Sequence, residues 1–287
     1  MSSVLRADVY VSSRLPIAIE RAGGSSAFSP ISCTLIQGQS EAVLVDTPIS
    51  VSQTEDLVSW IKQTAIGKDL KYVYITHGHG DHWFGISIIQ KHWPNVRAIA
   101  TPATVSSMKE QVSPEKFEGI WLKFFPGDQI PQPLVLASAM DSDNFEIEGH
   151  TFRAIEVGHS DTHDTTILHV PSINLVVAGD VVYGDVHQYF GEANTTEKRK
   201  EWLRAIDMIE ALNPQTVVAG HKRAGTVDGV FNLRTTRQYI EDFESATKTT
   251  SNWQELWERM QLLYPGRINP HAILAGAMAA FPSEAKI

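Results

Sequence analysis

The amino-acid sequence predicts an α/β protein in which two β-sheets pack together and helices cover the outside. Strand-like runs, helical segments, a second series of strand-like runs and a second set of helical segments follow one another along the 287 residues. That order favours two sheets packed face to face between layers of helices. Hydrophobic residues make up 43% of the chain, which is ample for a sizeable core. We therefore expect one domain over residues 1–287, with a helical C-terminal part at about 227–287.

In the first half of the chain, apolar runs between Gly, Ser and Pro predict strands, and apolar residues at helical spacing predict helices. Residues 52–55, Ser-Gln-Thr-Glu, resemble a capping box at the start of the first helix. The strands are expected at 4–11, 17–20, 31–37, 42–46, 72–75 and 96–100. The helices are expected at about 51–65, at 83–93 and, with an interruption near Pro114, at 103–125.

The second half of the chain repeats this order after a turn-rich connection at 126–133. An amphipathic helix is expected at 195–212, where Trp202, Ile206 and Ile209 recur at helical spacing. Residues 227–281 are expected to be largely helical. The strands of this half are expected at 134–138, 144–148, 151–157, 166–170, 175–178 and 216–219.

Net charge and cysteine content narrow the classes of function. With 24 basic and 33 acidic residues, the formal charge is −9, which disfavours non-specific nucleic-acid binding because that requires basic surface. The single cysteine, Cys33, allows neither an intramolecular disulfide nor a thiolate cluster, so any metal is expected to have nitrogen and oxygen ligands. We find neither the pattern of a signal peptide nor an apolar run of membrane-spanning length, and we expect a cytoplasmic protein with no membrane partner.

Residues 71–85, KYVYITHGHGDHWFG, carry the strongest chemical signal in the sequence. An apolar run suited to a buried strand breaks into a glycine-punctuated turn that contains His77, His79, Asp81 and His82. Residues two apart in an extended segment point the same way, so three of these side chains can share a face. Imidazole and carboxylate groups suit zinc or iron, and the turn is therefore predicted to bind metal.

Further candidate ligands follow other predicted strands. Three of them come directly after strand-like runs that end in glycine: His159, Asp180 and His221. Asp46 ends the run Val43-Leu44-Val45. Strand ends gathered at one edge of a sheet would bring these distant residues to one point.

Together these residues resemble the metallo-β-lactamase-fold superfamily. The run His77-Gly78-His79-Gly80-Asp81-His82 matches the HxHxDH signature of that family. The downstream glycine-histidine matches His159, the bridging aspartate matches Asp180, and the last histidine matches His221. The resemblance extends from about residue 31 to residue 221 and is specific for fold and metal site, but weak for substrate.

The resemblance implies a four-layer αββα sandwich of two mixed sheets face to face, with two divalent metal ions. Zinc is the expected ion, and iron or manganese is the alternative. The family pattern implies that Asp180 bridges the ions, while Asp46 lies behind the ligands and orients the loop or a histidine. It assigns one ion to His77, His79 and His159, and the other ion to Asp81, His82 and His221.

The activity implied by the resemblance is hydrolysis by a metal-bridging hydroxide, because two ions about 3.5–4 Å apart lower the pKa of a shared water toward neutrality. The hydroxide attacks a carbonyl carbon, and Asp81 stabilises or protonates the leaving atom. Tyr183 either donates a hydrogen bond to the developing oxyanion or forms an apolar pocket wall. We expect the substrate to be a small molecule with a lactam or lactone ring, metabolised in detoxification or secondary metabolism.

Two other branches of the family are the alternatives. A thioester hydrolase resembling glyoxalase II ranks second, because the tail at 241–281 offers few basic residues for glutathione. A persulfide dioxygenase with one iron ranks third, because that branch lacks several ligands of the second ion that this chain retains. Nuclease members are disfavoured by the acidic charge.

The sequence departs from the family pattern after His159, where residues 160–165 contain no glycine. Substrate contacts are left open for four polar residues near the motifs, and the segment at 103–125 is a candidate pocket wall. Core packing is expected for the tail at 252–281, with a lid or a homodimer face as the alternatives. The four residues are His163, His187, Lys222 and Arg223.

Overall fold

A computed structural model describes residues 4–19 and 27–282 of the chain. Its strands are β1 (Arg6–Val11), β2 (Leu15–Pro16), β3 (Ala27–Phe28), β4 (Ser32–Gln37), β5 (Glu41–Val45), β6 (Asp69–Tyr74), β7 (Arg97–Ala100), β8 (Ser138–Ala139), β9 (Asn144–Ile147), β10 (His150–Gly158), β11 (Thr165–Val170), β12 (Leu175–Val177), β13 (Tyr183–Gly184), β14 (Thr216–Val218) and β15 (His221–Lys222). Its α-helices are α1 (Val51–Thr64), α2 (Ile86–His92), α3 (Pro102–Gln111), α4 (Pro114–Lys116), α5 (Leu122–Phe124), α6 (Thr196–Ala211), α7 (Phe231–Thr249), α8 (Trp253–Leu263) and α9 (Pro270–Ala280).

The larger strands form two mixed sheets. The first has the order β1-β4-β5-β6-β7-β8, with antiparallel pairs at its β1 edge and parallel pairs from β5 to β8. The second has the order β14-β12-β11-β10-β9, and its β12–β14 pair is parallel while the others are antiparallel. Two parallel strands, β13 and β15, pair beside the site described below.

Three buried apolar clusters separate the layers. On β5, Val43 and Val45 point into a cluster shared with Leu168 of the second sheet, whereas Ala42 and Leu44 point into a cluster shared with helix α1. On β12, Val176 points the other way, into the cluster shared with α6, α7, α8 and α9. This alternation with a period of two follows from strand geometry. The arrangement is helices, sheet, sheet, helices, and it confirms the predicted αββα sandwich.

Several local predictions were wrong. The capping box of α1 begins at Ser50, whose side chain accepts from the Gln53 N–H while the Gln53 side chain accepts from the Ser50 N–H, rather than at Ser52. Of the strand predicted at 17–20, residues 17–19 form no strand and Glu20 lies outside the described residues. Of the strand predicted at 134–138, only Ser138 pairs in a sheet. Residues 134–136 instead pack against the buried apolar cluster that the first sheet shares with helix α1.

The segment at 103–125 is mostly helical, as predicted, and is interrupted before Pro114. It contains a π-helical turn at Phe117–Trp121, a form that occurs mainly as short stretches near functional sites. Within the described residues, no helix combines the length and the apolar character that crossing a lipid bilayer requires.

Candidate metal centre

The HxHxDH loop leaves the first sheet at the end of β6. Gly80 begins a 3-10 turn that carries Asp81 and His82, and a Cβ atom placed on Gly80 would lie 2.1 Å from the ring of Phe84. A side chain at Gly78 would likewise meet Ser107 at 2.5 Å. The two glycines are therefore needed for close packing.

One cluster of candidate ligands joins this loop to the second sheet. His82 Nε2 lies 3.3 Å from Asp180 Oδ1 and 3.4 Å from His221 Nε2. His221 Nε2 lies 3.1 Å from Asp180 Oδ2 and 3.3 Å from Asp81 Oδ2. The backbone holds this arrangement, because Ser32 N–H donates to the Gly220 carbonyl and a Cβ atom on Gly220 would collide with Asp180.

A second cluster lies beside the first and contains His77, His79 and Asp161. Their candidate ligand atoms all lie within 4.8 Å of one another, and all three side chains are buried. Nδ1 of His79 is 3.0 Å from Oδ2 of Asp161. The rings of His77 and His82 are 4.2 Å apart between centroids, so the two clusters form one continuous site.

Each histidine of the site has one ring nitrogen held by an outer partner. The partners are the Thr76 hydroxyl for His77 Nδ1, Glu192 for His79 Nε2, Asp46 for His82 Nδ1 and the Pro30 carbonyl for His221 Nδ1. The other nitrogen of each ring faces the cluster. Metal-binding histidines in proteins show this pattern, because the outer partner fixes the tautomer and the ring orientation.

Asp46 lies behind the candidate ligands and contacts His82 and Thr76. Its Oδ2 is 3.0 Å from His82 Nδ1 and accepts from the Thr76 hydroxyl, while its Oδ1 accepts from the Thr76 backbone N–H. Asp46 has φ 60°, a left-handed conformation that aspartate tolerates. The residue thus ties the strand β5 to the metal loop.

The residues fit divalent metal ions. Among the described residues, three buried atoms of the site lack a hydrogen-bond partner: Nε2 of His77, Oδ2 of Asp161 and Oδ1 of Asp180. An unpaired buried polar atom is costly, and a cation would satisfy all three. Metal–ligand bonds of about 2.1 Å at angles of about 90 to 109° place ligand atoms about 3.0–3.4 Å apart. The separations among His82, Asp180 and His221 are 3.1–3.4 Å.

The charges of the site are strongly coupled. Burial, aided by the neighbouring His82, holds the pKa of His77 well below its ordinary value. Burial also opposes a charge on His221, but Asp180 and Asp81 outweigh it and raise the pKa of His221 to about 10. Burial raises the pKa of Asp81 less than His82 and His221 lower it, and the result is about 2. Without an ion, protonated imidazoles therefore balance the buried carboxylates.

The prediction for His159 is not supported by the structure. Val157 and His159 both face α6 and line a surface groove with Glu201, Arg204, Asp207 and Met208. His159 lies just beyond β10, after the bulge at Glu156–Gly158 and the left-handed Gly158 (φ 81°), and its Nδ1 contacts the Ser160 carbonyl at 2.7 Å. Asp161 lies in the cluster instead.

Two residues of the site were not predicted from sequence. Asp161 follows His159 by two positions, within the run that departs from the family pattern, and this departure was the available signal. Glu192 lies in the loop after β13, and its Oε2 accepts a 2.6 Å hydrogen bond from the Thr162 hydroxyl. No motif marks Glu192 in the sequence.

Tyr183 is buried at the edge of the site. Its hydroxyl donates to Oδ2 of Asp180 at 2.7 Å, and its ring stacks on His221. Burial and the charge of Asp180 raise the pKa of Tyr183 well above its ordinary value, so the phenol keeps its proton. The proton is directed at Asp180, and the predicted oxyanion contact stays a prediction.

The site opens into a cavity of about 440 Å³. The segment at 103–125 forms one wall, in agreement with the prediction, and α9 contributes another. The apolar and aromatic lining residues are Ile19, Phe28, Ile120, Trp121, Phe124, Tyr183, Tyr189, Ala272 and Ala275. Lys116 and Lys123 lie at the same cavity.

The four residues whose substrate contacts were left open have other partners in the structure. His163 contacts Asp164 at 2.8 Å, and His187 contacts the Tyr239 hydroxyl at 2.7 Å within the core under α7. Lys222 pairs with Asp228 at 2.6 Å, and Arg223 donates to Asp185 at 3.0 Å. None of the four is among the residues described as lining the cavity.

Comparison with known proteins agrees with this geometry. A family model described as the metallo-beta-lactamase superfamily matches residues 27–221. The chain is 22% identical over 220 residues to the metallo-beta-lactamase type 2 of Bacteroides fragilis, covering 76% of this chain and 78% of that protein. It is 24% identical over 229 residues to the atrochrysone carboxyl ACP thioesterase dmxR1 of Cryptosporiopsis sp., covering 79% of this chain but only 59% of that protein.

Solved structures show the same fold. A metallo-beta-lactamase family protein from Thermus thermophilus aligns with a TM-score of 0.63 at 18% identity, covering 96% of this chain and 93% of that one. A metallo-beta-lactamase from Pontibacter korlensis aligns with a TM-score of 0.58 at 20% identity, covering 83% of this chain and 99% of that one.

Proposed function

The chain belongs to the metallo-beta-lactamase superfamily of metal-dependent hydrolases, and from this premise we propose that it opens the lactam or lactone ring of an apolar small molecule. The observation that carries the proposal is the position of the histidine and aspartate cluster at the inner end of a largely apolar cavity of about 440 Å³. A cavity of this volume is within the range of small-molecule sites, roughly 300–1,000 Å³.

We propose that two divalent ions, expected to be zinc, bind in the two adjoining clusters. His77 and His79 would contribute to one ion, while Asp81, His82 and His221 would hold the other. Asp180 would contact both, because it groups with His77 of one cluster and lies 3.1 Å from His221 of the other. When bound, such ions supply Lewis acidity and a water-derived nucleophile at neutral pH.

The side chains around the cluster would bind and orient the substrate. Phe28, Trp121 and Phe124 offer an aromatic wall that excludes water and favours an apolar ring. Asp81 would lie beside the leaving nitrogen or oxygen and would stabilise or protonate it. Tyr183 would hold Asp180 in position through its hydrogen bond.

A thioester is the second candidate substrate, and one observation favours it. The fungal relative dmxR1 is by its name a thioesterase that acts on a carrier-protein-bound acyl group. Lys116 and Lys123 at the cavity could attract the phosphate of such a carrier's prosthetic arm. The cytoplasmic location and the homodimer stay predictions.

The test is a turnover assay with a panel of small lactams, lactones and acyl thioesters, run alongside metal analysis by mass spectrometry. We expect about two ions per chain and ring opening as the preferred reaction. His79→Ala and Asp180→Ala should abolish turnover, while His92→Ala, a change at a partly exposed histidine outside the site, should not. Turnover of thioesters alone would favour the second candidate, and full activity of either site variant would refute the assigned site.

A further inference from the structure

The metal cluster of His77 and His79 has a carboxylate where the family pattern has a third histidine. Asp161 is completely buried, with its side chain 0% exposed, beside His79. A buried charge is retained only when it is paired or binds a metal. The imidazole of His79 is close enough to pair with Asp161. The geometry of this contact therefore bears on whether Asp161 is a partner of His79 or a metal ligand.

The contact between His79 and Asp161 has the separation of an ion pair but not the alignment of a good hydrogen bond. Nδ1 and Oδ2 are 3.0 Å apart, yet Oδ2 has no hydrogen-bond partner within the described residues. Nε2 of His77, the atom that completes the group, also lacks a partner there. Three donor atoms lie within 4.8 Å of one another, with Nε2 of His77 unpartnered and Oδ2 of Asp161 poorly aligned with His79, and ligands of one ion are arranged in this way.

The surroundings fix Asp161 in this orientation. The Ser160 hydroxyl donates to its Oδ1 at 2.9 Å and lies 3.0 Å from the Thr165 hydroxyl, which leaves Oδ2 directed into the cluster. On the far side of His79, Glu192 faces Nε2 at 3.4 Å, and Lys116 lies 3.7 Å from Glu192. The imidazole is thus oriented so that Nδ1 is the nitrogen available to an ion.

We propose that Asp161, and not His159, is the third protein ligand of the ion held by His77 and His79. This inference rests on the proposed metal-dependent function and deepens it. Replacing an imidazole by a carboxylate adds a negative charge and a harder donor. Carboxylates suit manganese and iron better than an all-imidazole site does, so the site is shifted toward these ions relative to zinc.

The experiment compares metal content per folded chain for the wild type, Asp161→Asn and His159→Gln, each loaded with Zn²⁺ and dialysed. We expect about two ions in the wild type and in His159→Gln, and about one ion in Asp161→Asn. Loss of an ion from His159→Gln, or retention of both by Asp161→Asn, would overturn the proposal. Circular dichroism of the three proteins separates ligand loss from unfolding.

A second measurement needs no variant. Anomalous diffraction from crystals of the metal-loaded wild type should place an ion within bonding distance of Asp161; an ion bonded to His159 would refute the inference. Loading with Zn²⁺ and Mn²⁺ in competition should give less manganese in Asp161→His than in the wild type, and an unchanged ratio would contradict the hardness argument. If ions bind through Asp161 but no ring or thioester is cleaved, the proposed function fails and the ligand assignment stands.

Discussion

Tyr183 donates a 2.7 Å hydrogen bond to Oδ2 of Asp180, and its ring lies against that of His221. One tyrosine therefore fixes two candidate ligands that come from separate turns of the second half of the chain. Outer groups of this kind change metal affinity by about 10–100-fold when they are removed.

The first prediction concerns this hydrogen bond. Tyr183→Phe should keep the stacking on His221 but weaken metal binding by about tenfold or more, because Asp180 loses the donor that orients it. A titration against a chromophoric chelator measures the change. Tyr72→Phe, at a tyrosine of β6 in the cluster between the sheets, is the control and should bind metal as the wild type does. Wild-type affinity in Tyr183→Phe would show that Asp180 does not depend on this bond.

The second prediction concerns the tautomer of His82. In the wild type, the Asp46 carboxylate accepts a hydrogen bond from His82 Nδ1. Asp46→Asn can place an amide donor at this position. That donor would force the ring proton onto Nε2, the nitrogen that faces the cluster. Metal affinity should fall by about 10–100-fold. Asp185→Asn is matched, because Asp185 also has a left-handed backbone, with φ 64° against φ 60°. Equal metal affinity in Asp46→Asn and Asp185→Asn would contradict this account of the His82 tautomer.

The third prediction concerns pH. In the metal-free protein Asp180 and Asp81, against the opposing effect of burial, raise the pKa of His221 to about 10. The imidazole is therefore protonated at neutral pH and must release its proton to the solvent when an ion binds. Apparent metal affinity should rise with pH, by about tenfold per unit for each proton displaced. Calorimetry in buffers of different ionisation enthalpy counts the protons, and an affinity independent of pH would contradict this account.

The fourth prediction tests the cavity as the substrate site. Ile120 lines the cavity from the π-helical turn and is 43% exposed, so a polar residue there is tolerated by the fold. Ile120→Ser should raise KM for an apolar substrate several-fold while kcat changes little, since the residue is not a candidate metal ligand and contributes only binding. Ile66→Ser, at an isoleucine that is 79% exposed and lies outside the cavity, should leave both constants unchanged. A loss of kcat with constant KM would exclude a simple binding role.

The fifth prediction concerns stability away from the site. The buried Arg199 guanidinium donates twice to Glu244 Oε2, at 2.8 and 2.6 Å. Glu244→Gln should lower the free energy of unfolding by about 1–2 kcal/mol, because it replaces charge-assisted hydrogen bonds to the buried Arg199 with neutral ones. Glu241→Gln, on the exposed side of the same helix, should have little effect.

Acidic pH should remove the difference in unfolding free energy between the wild type and Glu244→Gln. Burial raises the pKa of Glu244, but the hydrogen bonds from Arg199 and Lys248 lower it more, so the net shift is downward from 4.5. A lowered pKa contributes stability above the unfolded value and loses it as pH falls through the folded value. The gap between wild type and Glu244→Gln, measured by urea unfolding, should therefore shrink as pH falls below about 4.5. A gap that is constant with pH would mean that the charge is not responsible.

The sequence predicted the layers and most of the site because both depend on short-range patterns. The apolar alternation in β5 and the spacing in the HxHxDH run are visible within a few residues, and each determines which face a side chain occupies. The choice between His159 and Asp161 is different. Both are good ligands at a strand end, and the outcome depends on the bulge at Gly158, with φ 81°, and on the packing of α6 against β10. Such long-range contacts leave no local pattern.

The capping of α1 illustrates the same limit at smaller scale. Ser50 and Ser52 both precede candidate partners three residues on, and the backbone of Ser50, extended at ψ 159°, decides which of them caps the helix. Glu192 had no sequence signal at all, because its position beside His79 results from the path of an irregular loop.

The candidate ligands come from both halves of the chain: His77, His79, Asp81 and His82 from the loop after the first sheet, and Asp161, Asp180 and His221 from turns of the second. During synthesis the ribosome releases the first group long before the second. A nascent chain can therefore hold an ion only weakly until the second sheet has emerged and packed against the first. Metal binding is thus a late step of folding and not an early one.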